Sequence, residues 1–192
     1  MERRLENSPL MKLILARRSV RKYADTPVPR GIIMECIEAA RHAPSAHNTQ
    51  PCRYVVLTER RRIEKFCDSA FRGVYGFNDW VRRAPAVIVI TAKLDFVANR
   101  LGAFIQGTPY YLLDGAVAGE HIVLRAQELG LGTCWLGWYG EKQVKKLLGV
   151  PRSYRVVACI SMGYPAEPPA QEKKRLDMDE IAFFNMFGGH GV

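Results

Sequence analysis

Three guanidinium groups and a hydroxyl fall within five residues at Arg17-Arg18-Ser19-Val20-Arg21. Guanidinium forks match phosphate oxygens in pairs, so the cluster suits a phosphorylated ligand. In an extended stretch side chains alternate, and Arg17, Ser19 and Arg21 would point to one side. That makes one line of contacts for a phosphate and an adjoining ring. The same residues also read as cations finishing a helix, where they meet its negative end. A second basic run, Lys173-Lys174-Arg175, follows the Pro-rich stretch 165–169. Alone it reads as surface charge. Together with the first cluster it would complete an anion clamp.

Between Pro44 and Pro51 lie Ser45, His47, Asn48, Thr49 and Gln50. Short polar side chains in a loop bounded by prolines suit hydrogen bonding to a ligand's heteroatoms, and equally suit plain turn chemistry. No Ser-His-Asp or Cys-His arrangement is recognisable around His47. His42, His121 and His190 form no metal-ligand spacing. Glycines 130, 132, 137 and 140 make neither a dinucleotide fingerprint nor a phosphate-loop lysine motif. The five cysteines, at 36, 52, 67, 134 and 159, form no C-x-x-C pair. Their odd, scattered count argues for small buried thiols rather than a disulfide framework.

The formal net charge of +9 favours anionic ligands, with most of the basic residues expected on a solvated surface. No aromatic-plus-basic ribonucleoprotein motif, zinc finger or clear recognition helix points to nucleic acid. No apolar run approaches the ~18 residues of a membrane span. The short apolar run 10–16 is interrupted by Lys12 and followed by Arg17-Arg18, so it reads as a helix and not as a signal core. A cytoplasmic location is expected.

The elements that must position these residues follow from periodicity and punctuation. Helices are expected at 9–16, at about 28–41 with Thr26 as cap, from Thr58 to about 70, at 110–129, at 141–148 closed by Gly149, and in a short turn capped by Asp177 with Glu180 three residues on. Strands are expected at 53–57, 86–91, 133–136 and 155–162. The β-branched run at 86–91 suggests a strand buried on both faces. Residues 71–85 and 92–109 look irregular, as candidates for an excursion over a site from about 71 to 109. Small residues at Gly115, Ala116, Ala118 and Gly119 would let the long helix approach a neighbour closely. The chain of 192 residues, with no repeat or linker, reads as one domain over 1–192 with an arm at about 165–192.

Four motifs in order resemble the nitroreductase family. They are Ala16-Arg17-Arg18-Ser19-Val20-Arg21-Lys22-Tyr23, then the A-P-S-x-x-N-x-Q-P run ending at Gln50-Pro51. Asp114-Gly115-Ala116 with Leu129-Gly130-Leu131-Gly132-Thr133 follows, and Met162-Gly163-Tyr164-Pro165 with Lys173 and Arg175 closes the series. Together they span about residues 10–181. The resemblance implies an α+β fold with a mainly antiparallel central sheet flanked by helices. It also implies an intertwined homodimer with one flavin mononucleotide (FMN) at each of two subunit interfaces.

Carried over by motif, Arg17, Arg18 and Ser19 would hold the FMN phosphate and ribityl chain, and Arg21 would face the pyrimidine edge of the ring. Lys173 and Arg175 would form the second phosphate clamp. Pro44, Ser45, Asn48 and Gln50 would belong to a loop given by the partner subunit. Trp135, Leu136, Gly137 and Trp138 would lie beside the ring, with a backbone amide of Gly137 or Trp138 near flavin N5. Three departures bear on the substrate pocket: Cys52 replaces a common Trp, Gly137 a glutamate, and Ala46 a frequent hydroxyl residue.

The activity this implies is electron transfer from NAD(P)H to a small electron-poor acceptor, a nitroaromatic or a quinone, in ping-pong turnover. No side-chain nucleophile or metal is required, since the flavin carries the chemistry. Pocket walls would come from Phe71 to Tyr75 and Phe104 to Tyr111. Alternatives are a specialised member of the same fold, such as a dehalogenase or cofactor-processing enzyme, or a flavin-binding protein without turnover.

Overall fold

A computed structural model describes residues 8–94, 107–168 and 174–189. The first helix, α1 (Pro9–Ala16), starts with Pro at its first position and the Ser8 hydroxyl accepting from the Met11 N–H. The second, α2 (Arg30–Arg41), starts two residues later than its periodicity suggests. Pro29 holds an extended backbone (φ −59°, ψ 139°) at the cap position, so Thr26 does not cap it. Val28 is buried in the core instead. A short 3₁₀ turn (Ala46–Asn48) leads to strand β1 (Cys52–Leu57), and α3 (Arg60–Ala70) follows with Glu59 at its N-cap.

The stretch that looked irregular from 71 to 85 is largely a 3₁₀ run, Gly73–Arg83. Gly73 and Gly76 interrupt its apolar pattern in the sequence. Arg82 ties it to α3, bonding Asp79 at 2.7 Å and Asp68 at 2.6 Å. Strand β2 (Ala86–Lys93) precedes residues 95–106, which lie outside the described residues together with Phe104. The long helix α4 (Tyr110–Glu128), strand β3 (Gly132–Leu136), helix α5 (Glu141–Leu148) and strand β4 (Tyr154–Gly163) complete the framework. Helix α5 ends at Gly149 in the left-handed conformation (φ +66°), which glycine adopts without the Cβ penalty. A last turn, α6 (Met178–Ile181), begins where the Glu180 carboxylate accepts from the Asp177 N–H at 2.9 Å.

The four strands form one sheet in the order β1-β2-β4-β3, every adjacent pair antiparallel. Strand β2 is central and buried along all but its last residue, as its β-branched run predicts. Its side chains split by the period of two. Ile88 and Ile90 pack with Ile33, Cys36, Ile122 and Ala126 of α2 and α4 on one face. Val87 and Val89 pack with Ile63, Phe66 and Val144 of α3 and α5 on the other. Each fully buried Val, Ile or Phe contributes roughly 1.5–3 kcal/mol, so two cores share one strand as their common wall.

Candidate active site

Arg17 closes α1 in an extended conformation (φ −59°, ψ 131°), and the chain then runs beside β3. The Val20 N–H donates to the Thr133 carbonyl at 2.9 Å, and Ser19 bridges to Thr133 in parallel. Val20 rests on Gly132, where a Cβ would come within 2.6 Å of it. Ser19 and Arg21, on either side of Val20, are exposed, as alternation requires. Arg18 turns its guanidinium back to the Leu15 and Arg17 carbonyls and finishes the helix. The helix-ending reading of the cluster therefore holds for Arg18.

The segment continues against the closing motif. The Tyr23 hydroxyl donates to the Val20 carbonyl at 2.7 Å and lies 2.8 Å from Ser161 Oγ. Burial pushes the Tyr23 phenol well above its ordinary range, so it stays a neutral donor. The Ala24 N–H donates to the Tyr164 carbonyl, and the Ala166 N–H to the Lys22 carbonyl. The first and last motifs, some 140 residues apart in sequence, thus meet at one end of the sheet.

Helix α4 connects this segment to β3. Gly119 lies under the Trp135 indole, whose Nε1–H donates to Glu120 Oε2 at 3.3 Å. The other Glu120 oxygen faces Arg17 Nε at 3.9 Å. Leu136 is buried in the core. Gly137 is exposed, with open space where a side chain would stand. Trp138 and Phe77, 65% and 63% exposed, face each other edge-on with ring centroids 6.2 Å apart. The buried Asn78 donates from Nδ2 to the Trp138 carbonyl at 3.0 Å and so fixes the backbone after Gly137.

The loop after α2 is held from the same helix. Asp114, buried within α4, accepts from the Ala46 N–H at 2.9 Å. His47, Asn48 and Gln50 all adopt left-handed backbone (φ 50°, 52° and 45°). Each such non-glycine residue costs about 1 kcal/mol or more and persists only where its surroundings hold it. Ser45 Oγ accepts from the Gln50 N–H at 3.0 Å, and Asn48 Oδ1 from Gln50 Nε2 at 3.2 Å. Pro44, Ser45, Gln50, Cys52, Tyr54 and Asp114 line part of a cleft of about 320 Å³. Burial, with the Asp114 charge second, pushes the Cys52 thiol up to about 11, so it is no nucleophile at neutral pH.

Not every expected site residue joins this assembly. Lys173 lies outside the described residues. Arg175 is exposed, donating to the Lys174 carbonyl. Phe71, expected to wall the pocket, is buried against Phe66 with ring centroids 5.7 Å apart. Tyr75 packs on the same core. The exposed aromatic nearest Trp138 is Phe77, from the 3₁₀ run that looked irregular in the sequence. Glu120 and Asn78 were missed as well, because their partners sit 15 and 60 residues away along the chain.

The sequence pattern of the Nitroreductase family matches residues 14–75 and 68–164. The chain belongs to the nitroreductase family. A protein of Archaeoglobus fulgidus, provisionally named an NADH dehydrogenase/NAD(P)H nitroreductase, is 32% identical over 161 residues, covering 82% of this chain and 86% of that one. A nitroreductase family protein from Clostridium novyi NT has a similar crystal structure, with TM-score 0.74, 29% identity and coverage of 95% and 96% of the two chains. An FMN-dependent nitroreductase from Clostridium difficile R20291 matches at TM-score 0.73 and 28% identity, over 91% of this chain and 98% of its own. The nitroreductase fold seen here is accordingly the α+β arrangement that the four motifs implied, with its helices on both faces of an antiparallel sheet.

Proposed function

We propose that the chain is an FMN-dependent oxidoreductase that passes electrons from NAD(P)H to a small electron-poor acceptor, the two substrates taking turns at one opening. The observation that carries this reading is the alignment of Arg17, Ser19 and Arg21 beside β3, the strand that ends in the open Gly137–Trp138 turn. The donor set fits FMN. Guanidinium groups and a hydroxyl suit a phosphate and its polyol chain, and the turn leaves a flat ring unobstructed. When bound, FMN supplies hydride acceptance and electron return at a ring nitrogen.

The chain's own residues bind and orient. Arg17 and Ser19 would hold the phosphate end, joined by Lys173 and Arg175, while Arg18 finishes the helix that presents them. Arg21 would supply positive charge beside a bound flavin ring, which favours the reduced, more negative form. A backbone N–H at Gly137 or Trp138 would serve the reacting end of a bound flavin ring, and Trp135 and Leu136 support that turn. Phe77 and Trp138 offer aromatic walls to a planar acceptor. Pro44, Ser45, Asn48 and Gln50 complete the site from a second subunit.

The working unit in this reading is a homodimer. Helix α1 has no buried residue, and Leu10 and Leu15 stand 57% and 58% exposed. Leu112, Leu113 and Val117 of α4 and Phe184, Met186 and Phe187 of the arm are also exposed. Apolar surface on this scale marks a protein interface.

The test is an FMN titration. Purified protein is expected to be yellow, and the double variant Arg17→Ala/Arg175→Ala to bind FMN at least about tenfold more weakly, one lost charge-assisted contact being worth that much. With NADH or NADPH and a quinone acceptor, double-reciprocal plots should be parallel. Wild-type affinity in the double variant overturns the phosphate assignment. A colourless protein that ignores added FMN overturns the whole reading.

A further inference from the structure

The 44–50 loop is an unusual piece of backbone to find intact. His47, Asn48 and Gln50 all occupy the left-handed region that favours glycine, yet none is glycine. Its internal bonds are local: Asn48 N–H to the Ser45 carbonyl, Thr49 N–H to the Ala46 carbonyl, and the Ser45–Gln50 and Asn48–Gln50 contacts. Arg53 holds its far end through the Gln50 carbonyl at 3.0 Å. At its near end the bond that leaves the loop is the one from the Ala46 N–H to Asp114 Oδ1, 68 residues on.

Asp114 is buried, and among the described residues no cation pairs with it. A buried carboxylate facing a backbone N–H is a charge-assisted bond in low dielectric, stronger than a neutral one. Ser45, just before Ala46, is extended (φ −139°, ψ 153°), so the carboxylate fixes where the chain passes from extended backbone into the left-handed turn. The neighbouring Gly115 sits with Val157 within 2.7 Å of a built Cβ, so this part of α4 is seated tightly on β4. The anchor therefore belongs to the rigid core and the loop is what it holds.

We propose that Asp114 is the positioning residue of this loop: through the Ala46 amide it sets the left-handed turn that presents Ser45 and Asn48 to the cofactor. This rests on the functional reading above. In this role Asp114 acts through the Ala46 amide and not on the cofactor. It acts by keeping a strained loop in a binding geometry before the ligand arrives, which removes an ordering cost from binding.

The experiment compares Asp114→Ala, Asp114→Asn and Ala46→Pro with the wild type. Asparagine keeps an acceptor at Oδ1. Proline at 46 removes the donor, leaves Asp114 in place and suits the extended residue before it. Two quantities are measured, hydrogen exchange across residues 44–50 and FMN affinity, with thermal melting as a check on folding. Asp114→Ala and Ala46→Pro are expected to speed exchange of the loop amides and to weaken FMN about tenfold, a loss typical of a displaced supporting contact. Asp114→Asn is expected to stay within about threefold of wild type on both measures, since the acceptor survives. Should Asp114→Ala fail to fold, Ala46→Pro decides alone. Undisturbed exchange in the loop overturns the anchoring. Faster exchange with unchanged FMN affinity overturns the positioning role. If wild-type protein binds no FMN, the functional reading and this role both fall, and unaltered loop exchange in the variants would remove the anchor too.

Discussion

Gly119 of α4 and Trp135 of β3 are in direct contact: a Cβ built on Gly119 would lie 2.1 Å from Trp135 Cη2 and 2.9 Å from Ile90 Cδ1. The helix reaches the sheet at this point because one residue has no side chain. The contact also lays the indole N–H against Glu120, and through Glu120 against Arg17.

Gly119→Ala is accordingly expected to destabilise the fold. Alanine gains about 1 kcal/mol of helix propensity, while forced overpacking against a half-buried indole costs about 1–3 kcal/mol. A net loss near 1 kcal/mol lowers the melting temperature by roughly 2–4 °C in a chain of this size. Adding Trp135→Leu should recover part of that loss by opening the space. A single variant that melts at or above wild type would contradict the contact.

The Glu141 carboxylate predicts the acid limb of stability. Burial works to raise its pKa, but the Arg155 fork at 2.7 and 2.8 Å and the Val156 N–H at 3.1 Å outweigh it, and the carboxyl ends below its ordinary value. A group whose folded pKa is depressed contributes stability that is present above the unfolded value, about 4.3, and lost as pH falls through the folded one. Glu141→Gln should cost about 1 kcal/mol at pH 7, with half of the pair exposed to solvent screening. The gap between variant and wild type should close as pH drops below 4. Urea melts from pH 3 to 7 measure it, and a constant gap across that range would refute the linkage.

Cysteine reactivity gives a chemical check on the loop region. Cys36, Cys67, Cys134 and Cys159 are buried, and Cys52 is half-buried beside Asp114. Cys52 should be alkylated by iodoacetamide ahead of the other four, slowly at pH 7.5, with the rate still climbing above pH 9. Asp114→Asn removes the charge that helps hold the thiol up, so labelling at pH 8 should quicken. Peptide mass spectrometry reads both, and a rate that levels off near pH 8 would be inconsistent with a thiol titrating at about 11.

Much of this architecture was written in local pattern. The β-branched run at 86–91 predicted a strand walled on both faces, and β2 is that strand. Glu141 to Leu148, closed by Gly149, formed with the expected bounds because cap and period agree there. The start of α2 was misjudged because two prolines hold the chain extended beyond Thr26. The 3₁₀ run at 73–83 was hidden because Gly73 and Gly76 interrupt its apolar pattern, and Arg82 orders it by binding two aspartates. For the candidate site, the residues proposed to face a ligand were named by the motifs. The residues that hold them were not. Asp114 stood inside one such motif, yet its bond to Ala46 spans 68 residues, and Glu120 looks like any exposed acid until the fold brings Trp135 and Arg17 to it. An acid next to Gly115, Ala116, Ala118 and Gly119 in the apolar first half of α4 was the available signal for Asp114.

The hydrogen bonds from Val20 to Thr133 and from Ala24 to Tyr164 set an order of events during synthesis. The backbone that the arginine segment lies against leaves the ribosome more than a hundred residues after it. Until β3 and β4 have emerged, Arg17 and Arg21 have nothing to lie along, whatever helices have already formed. Binding of a phosphorylated ligand along the arginine segment, as proposed above, would wait on both strands.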